Sequence, residues 1–464
     1  MVISIIIAII VLIVPTAGIY AGSLTWDYYN DVLVSNTNED KQQAESHIIA
    51  SASNNNNLVV ALMDNTLTSL YRCRAYNSTN AGDTWTDRGF LPLPSGTSIS
   101  NDPVVASTSD GKFFIACFAG TSTRGTHIVY WVSTDNGATW SSPNTVRDVS
   151  SDSTLTVDKP WIAADVNDTA SSYRNNVYAC WTEIKYPGTT LAEYSIKFRK
   201  IWPSTSTIKT IASPSNPSWV GWCNIAVGKS GIIYVTWMRA LYNSTTGTYT
   251  YNVMMKRSFD GGETWSTARS IATFNYVTHI TGDRASLKIS NSPHIAVDNN
   301  WDLHLVYVTK TSAGDTEIMY RKITNCTSST QSCELKPVVN LSNNNKDQWE
   351  PAIVVSKKSN TVHVTALDKR DAANNNSWWR LYHYHCHLST STCTSSSDWY
   401  RVRVTYEGTY VYNDNEYFIG HYHGITSSIA STNAREAYTT WTDSRLYNNN
   451  QDYNIFYDRL SSSN

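Results

Sequence analysis

Three stretches of the 464-residue chain read almost alike: Ser78-Thr79-Asn80-Ala81-Gly82-Asp83-Thr84-Trp85, Ser133-Thr134-Asp135-Asn136-Gly137-Ala138-Thr139-Trp140 and Ser258-Phe259-Asp260-Gly261-Gly262-Glu263-Thr264-Trp265. The shared pattern is Ser-x-Asp-x-Gly-x-Thr-Trp, with Asn80 in place of the acid in the first copy. An Asp or Asn side chain accepting from backbone N–H groups two residues on closes a tight turn. Glycine supplies the left-handed backbone such a turn needs. The Trp opens the returning strand and brings a large aromatic surface to bury. On this reading Asn80, Gly82, Trp85, Asp135, Gly137, Trp140, Asp260, Gly262 and Trp265 are structural residues of three β-hairpins.

The turns belong to a longer repeat. An apolar strand, a polar turn and a second strand rich in Val, Tyr and Trp recur seven times, starting near His47, Asp102, Lys159, Cys223, His294, Glu350 and Thr426. The spacings are 55, 57, 64, 71, 56 and 76 residues, room for four strands with variable loops. Alternation of period two marks half-buried strands, and beyond the N-terminus no helical period is sustained. The pattern predicts an all-β propeller of seven four-stranded blades. The last repeat ends after its third strand, Asp452–Asp458, while an unpaired strand, Leu24–Val34, precedes the first. We expect that strand to complete the last blade and close the ring, which removes exposed sheet edges. Residues 22–464 then form one domain.

The Ser-x-Asp-x-Gly-x-Thr-Trp turn resembles the Asp-box, or BNR repeat, of the sialidase-like β-propellers. Sialidases of that kind have six blades, so six is the alternative count. The resemblance implies a ligand face opposite the boxes, a substrate carboxylate held by three arginines, a Tyr nucleophile assisted by Glu, and an Asp acid/base. The first of those arginines stands in an Arg-Ile-Pro motif that occurs nowhere in this chain. The chain is more similar to secreted sialidase-like proteins whose last blade reads Gly-Asp-Tyr-x-Gly and then Trp-Thr-Asp-x-Arg. Here these stand as Gly420-His421-Tyr422-His423-Gly424, with His for Asp, and Trp441-Thr442-Asp443-Ser444-Arg445.

Composition points outside the cell. A net charge of −2 with 16% charged residues gives no electrostatic footprint for nucleic acid. Sequons at Asn77, Asn167, Asn243, Asn325, Asn340 and Asn375 are candidate glycosylation sites. Cys326/Cys333 and Cys386/Cys393 share one spacing where repeats five and six lack a box. They are expected to be disulfides that close those hairpins in an oxidising compartment. Cys117 and Cys180 are expected to be buried thiols, and Cys73 and Cys223 are left unpaired. Residues 1–21 hold an apolar run ending near Pro15 and small residues up to Ala21. That run is short for a membrane span. It reads as a secretory signal peptide, or as a retained anchor or arm, which would be the chain's link to a membrane. Both readings place the protein as secreted, or on a cell or virion surface.

On the expected loop face, second-strand ends offer Glu183, Arg239, Asp368, Arg370, Asp443 and Arg445. Inter-blade loops add Asp102, Asp158, Lys159, Asp283, Arg284, Glu350, Glu416 and Tyr417. Guanidinium groups suit anionic sugars, and Arg239, Arg370, Arg445, Glu183, His421 and His423 are the candidate ligand contacts. Tyr417, Glu350, Asp368 and Asp443 are the candidate catalytic groups. His383, His385 and His387 share one strand face, and with His421 and His423 they are weighed as a metal site. Stacking between blades is the preferred reading, and neither metal nor cofactor is expected. Trp and Tyr clusters such as Trp378-Trp379 suit sugar stacking or inter-blade packing. The function expected is non-catalytic recognition of a glycan or a cell-surface or virion protein through the loop face. The alternative is a sialidase-type exo-glycosidase acting on anionic glycans.

Overall fold

The computed structural model describes residues 31–35, 42–65, 70–188, 191–281, 286–372, 378–405, 408–410, 419–427, 436–444 and 453–460. They form seven four-stranded antiparallel blades of a β-propeller with almost no helix. The first strands of blades 1 to 7 are Gln43–Ala50, Ile99–Ser107, Leu155–Ala164, Trp219–Val227, His294–Val297, Gln348–Ser356 and Gly424–Ser427. The expected starts fall within these strands or within four residues of them. Second strands are the most apolar runs: Leu58–Asp64, Thr361–Asp368 and Ala437–Asp443 are buried along their whole length. Outer strands such as Thr86–Phe90 and Asn144–Asp148 lie at the wet rim. A hairpin, His279–Thr281 with Ser286–Lys288, is inserted between blades 4 and 5, and Thr409–Tyr410 adds to the third strand of blade 6.

The ring closes as the repeat count requires. Val32–Leu33 pairs with Tyr457 and Phe456 of the last strand. The Val34 N–H donates to the Ile455 carbonyl at 2.9 Å, and the Gln43 N–H donates to that of Tyr453 at 3.0 Å. The remainder of the expected strand, 24–30, and the leader, 1–21, lie outside the described residues.

The three repeated turns are built alike. Ser133 Oγ donates to Asp135 Oδ1 at 2.7 Å and accepts from the Gly137 N–H at 2.9 Å. The carboxylate then takes the Thr139 N–H at 2.9 Å and its hydroxyl at 2.6 Å. The closing bond therefore spans four residues rather than the expected two. Ser78/Asn80/Thr84 and Ser258/Asp260/Thr264 repeat the arrangement. Gly82, Gly137 and Gly262 have φ of 86°, 81° and 97°. Each also faces the preceding blade so closely that a Cβ would meet Tyr457, Val59 or Phe198 at 2.3–2.6 Å. Glycine is needed twice over, for the turn and for blade-to-blade approach.

Blades 5 and 6 use disulfides at this position. Cys326–Cys333 and Cys386–Cys393 close the hairpins as expected. The first loop is gripped from blade 4 by Arg257, which donates to the carbonyls of Cys326, Ser328 and Gln331 at 2.7–3.1 Å. The expectation for the other cysteines is corrected: Cys117 and Cys180 are not thiols. They bond Cys73 and Cys223, tying blade 1 to blade 2 and blade 3 to blade 4. Neighbouring blades present these positions face to face, a relation that spacing along one chain does not display. Four disulfides fit an extracellular, oxidising setting. Among the described residues, no helix is long and apolar enough to cross a membrane.

Cys180→Ser together with Cys223→Ser is expected to lower stability by about 2–4 kcal/mol, read as a drop in denaturant midpoint, with m rising as the unfolded chain loses a cross-link. The native chain should take up no alkylating reagent when unfolded without reductant.

Candidate functional site

Five innermost strands share a backbone device. The pairing register slips in blades 1, 2, 3, 4 and 6. At each slip one residue takes the left-handed conformation: Glu45, Asp102, Lys159, Trp222 and Glu350, with φ between 48° and 55°. A β-bulge re-aims its side chain, and five bulges at one level gather these residues at the loop-face end of the axis. Blade 7 brings His421 and Tyr422 to the same place.

Lys159 is the centre of this cluster. Its Nζ lies 3.0 Å from Glu45 Oε1, 2.5 Å from Asp102 Oδ1 and 2.8 Å from His421 Nδ1. The Tyr422 ring lies 5.9 Å away. Asp158 Oδ1 accepts the Lys159 N–H at 2.9 Å. Glu45 and Asp102 thus share one ammonium, with the carboxyl groups of Asp158 and Glu350 near enough to feel its charge. Burial pushes Asp102 up to about 7, helped by Glu45, and pushes Asp158 up to about 7, helped by Asp102. Glu350 is 4% exposed and is raised well above the carboxylate range by burial. Its Oε1 has no hydrogen-bond partner, as suits a neutral acid. The His421 imidazole is held neutral by burial and by Lys159. Below the cluster Trp161 plugs the axis, edge-on to His47 at 5.1 Å, to His294 at 4.8 Å and to Tyr422 at 5.8 Å. An axial funnel of about 210 Å³, lined mostly by Ile, Val and Ala, lies on the far side.

The loop face opens beside the cluster in a cleft of about 310 Å³ between blades 3 and 4. Asp158 and Lys159 form its floor, and Tyr194, Trp219, Trp222 and Tyr276 form its walls. Two lining groups are buried without a partner: the Thr182 hydroxyl and the Trp222 indole N–H.

The sequence-predicted residues divide sharply. Glu350 and His421 join the Lys159 cluster. His423 is buried nearby, with Nε2 2.8 Å from Thr365 Oγ1 and its pKa lowered to about 3 by burial. Glu183 binds Arg147 of blade 2 at 2.7 Å and lies 3.7 Å from Lys197. Asp368 is held by Arg370 and Tyr384 in blade 6. Arg370 also donates to the Ser342 carbonyl at 3.2 Å and the Tyr384 hydroxyl at 2.9 Å. Arg239 is in blade 4, bonded to Asn252 at 3.0 Å. The two arginines therefore stand in separate blades with separate partners. Asp443 accepts the Trp441 indole N–H at 3.0 Å. Tyr417, Glu416, Asp283, Arg284, Arg445 and Asn375 lie outside the described residues. His383 and His385 stack with His363 and His387 along blade 6, with ring centroids 5.0–5.4 Å apart. His421 stands apart from that column, at the axis. No three His, Cys, Asp or Glu among the described residues are placed to hold a metal. Trp379 is buried against Trp349, and Trp378 lies under Arg380. Of the described sequons, Asn243 and Asn325 are exposed and Asn167 and Asn340 half-buried, whereas Asn77 is buried and its amide donates to the Asn136 carbonyl.

Sequence reasoning missed Glu45, Thr182, Tyr194, Trp219, Trp222 and Tyr276 as site residues. One signal was present: Asp102, Lys159 and Glu350 each precede a proline at the same place in the repeat.

No protein-family model matches the chain, and no curated protein matches it. Among solved structures it is similar to a protein of unknown function from Dyadobacter fermentans, at 15% identity and TM-score 0.45, covering 73% of this chain and 93% of that one. It is also similar to the Hadza microbial sialidase Hz136, at 11% identity and TM-score 0.46, with 87% and 76% covered. A third is the GH93 α-L-arabinofuranosidase of Fusarium graminearum, at 12% identity and TM-score 0.46, with 80% and 96% covered. Likenesses this distant assign no activity.

Two outcomes follow from the buried charges. Lys159→Met strands the surrounding carboxylates and should cost about 3–5 kcal/mol. Asp158 has a folded pKa of about 7 against an ordinary 3.8, so its contribution to stability is full below the lower value and is lost as pH rises through the higher one. Asp158→Asn removes that loss. Melting curves should show the variant gaining on the native protein between about pH 4 and pH 7.

Proposed function

We propose that the protein is a non-catalytic recognition module that binds a glycan in the loop-face cleft between blades 3 and 4. The observation that carries this reading is the cleft itself: aromatic walls, an unpartnered hydroxyl and indole N–H, and a carboxyl group at its floor. Ligand sites are typically concave, largely apolar and furnished with a few placed polar groups, and aromatic faces suit the C–H faces of sugar rings. The sialidase-type reading needs a carboxylate clamp. Arg370 is already bonded to Asp368, Ser342 and Tyr384, and Lys159 to Glu45 and Asp102.

The acids of the Lys159 cluster support a structural role rather than a hydrolytic one. Glu45, Asp102 and Asp158 all bond Lys159, Glu350 is buried near them, and of the four only Asp158 lines the cleft. Disulfides and exposed sequons suit display outside a cell, where such a module would meet its ligand.

The test is a glycan array probed with residues 22–464, followed by titration of the best ligand. Binding weakened tenfold or more by Trp222→Ala, about 1.4 kcal/mol, is the expected result. A hydrolase would instead turn over fluorogenic sialosides and lose that turnover in Arg370→Ala; we expect no turnover in either protein.

A further inference from the structure

The cleft is the inner end of a longer aromatic track. From the outer hairpin of blade 4 inward, Tyr242 lies 5.2 Å from Tyr249, Tyr249 lies 6.1 Å from Tyr251, and Tyr251 lies 4.8 Å from Tyr276. Tyr276 then lies 5.8 Å from Trp219, and Trp219 lies 5.9 Å from Trp222. Six rings therefore run without a break from the exposed hairpin to the axis.

Strand register explains the track. Trp219 pairs with Ala240, Ala240 with Tyr251, and Tyr251 with Phe274, all on one face of the blade. The small Ala240 leaves Trp219 and Tyr251 to be bridged by Tyr276. Val220, Arg239, Asn252 and Thr273 form the adjacent row and project to the opposite face, toward blade 3, where Val220 lines the cleft. Tyr249, at the outer end of the track, is 38% exposed. Tyr251 and Tyr276 stack on each other at 12°, so they present ring edges and hydroxyls rather than free faces. Among the described residues those hydroxyls have no protein partner. Trp219 and Trp222 are half-buried in the cleft wall. Lys159 is the single cation among the described residues lining the cleft, and it is already paired.

We propose that the site takes an uncharged glycan chain of several sugar units, laid along this track with one end against Trp222 and Asp158, rather than a single terminal sugar or an anionic one. The proposal rests on the glycan-recognition reading and adds length and charge to it. Ring edges and hydroxyls spaced along the track offer successive contacts to a chain lying on it, and each contact made adds binding. An anionic chain would bring carboxylates to a floor that already carries an excess of acids over cations.

The test uses titration calorimetry on the full domain with three neutral series of two to six units: cello-, manno- and N-acetylated chito-oligosaccharides. Hexagalacturonate and oligosialic acid are the anionic comparison. In at least one neutral series the association constant should rise tenfold or more from two units to six. Tyr249→Ala, at the exposed outer end of the track and checked for an unchanged melting midpoint, should remove most of that rise, and Trp222→Ala should weaken every length. Equal affinity for all lengths, or a rise unaffected by Tyr249→Ala, overturns the track while leaving recognition in the cleft intact. Anionic chains binding as tightly as neutral ones overturn the charge assignment. No binding by any chain overturns the recognition reading together with the track.

Discussion

The close approach of one blade to the next governs this structure. A propeller has no core other than the seams between its sheets, so each seam must be filled and locked. Here the seams are locked by three devices. Glycines in the repeated turns let Tyr457, Val59 and Phe198 of the preceding blade come within contact. Hairpin disulfides shape two further turns: Arg257 of blade 4 grips the Cys326–Cys333 loop, and Trp399, beyond the Cys386–Cys393 loop of blade 6, packs on Tyr320 of blade 5. Two further disulfides cross a seam outright. Once the seams are fixed, the innermost strands must converge, and their bulges bring five side chains to one level on the axis.

Convergence creates the electrostatic problem that Lys159 resolves. Four carboxyl groups in so small a volume cannot all ionise. One ammonium and raised carboxyl pKa values settle the balance, with burial holding Glu350 well above the usual carboxylate range and His421 well below the usual imidazole range. A buried ion cluster of this kind fixes geometry more than it adds stability. The geometry it fixes is the floor of the cleft, because Asp158 and Lys159 belong to both. The aromatic walls stand on the adjoining bulge at Trp222 and on strand ends of blades 3 and 4, so the cleft inherits the rigidity of two seams.

The fold was legible because its signals are local and repeated. The turn pattern, the seven strand pairs and the unpaired N-terminal strand each follow from a few adjacent residues. The hairpin disulfides were legible for the same reason. The Cys73–Cys117 and Cys180–Cys223 bonds were not, since each joins residues of different blades whose facing depends on the seam. The site was legible only in part. Asp102, Asp158, Lys159, Glu350 and His421 were placed on the correct face, but their common partner Glu45 lies in a strand with no distinguishing motif. The arginines invited an anionic ligand, yet strand register sends Arg239 to the opposite blade face, and Arg370 is taken up by its own neighbour Asp368. Trp219 and Trp222 look like any core tryptophan until the bulge turns one of them to the axis.

Amide hydrogen exchange with and without a bound neutral hexasaccharide tests the account most directly. The account predicts slowed exchange in blades 3 and 4 alone, at the amides around Tyr194, Trp219–Trp222, Tyr249–Tyr251 and Tyr276. Protection centred on Asp368–Arg380 of blade 6, or on the turns that carry Asp135 and Asp260, would contradict it.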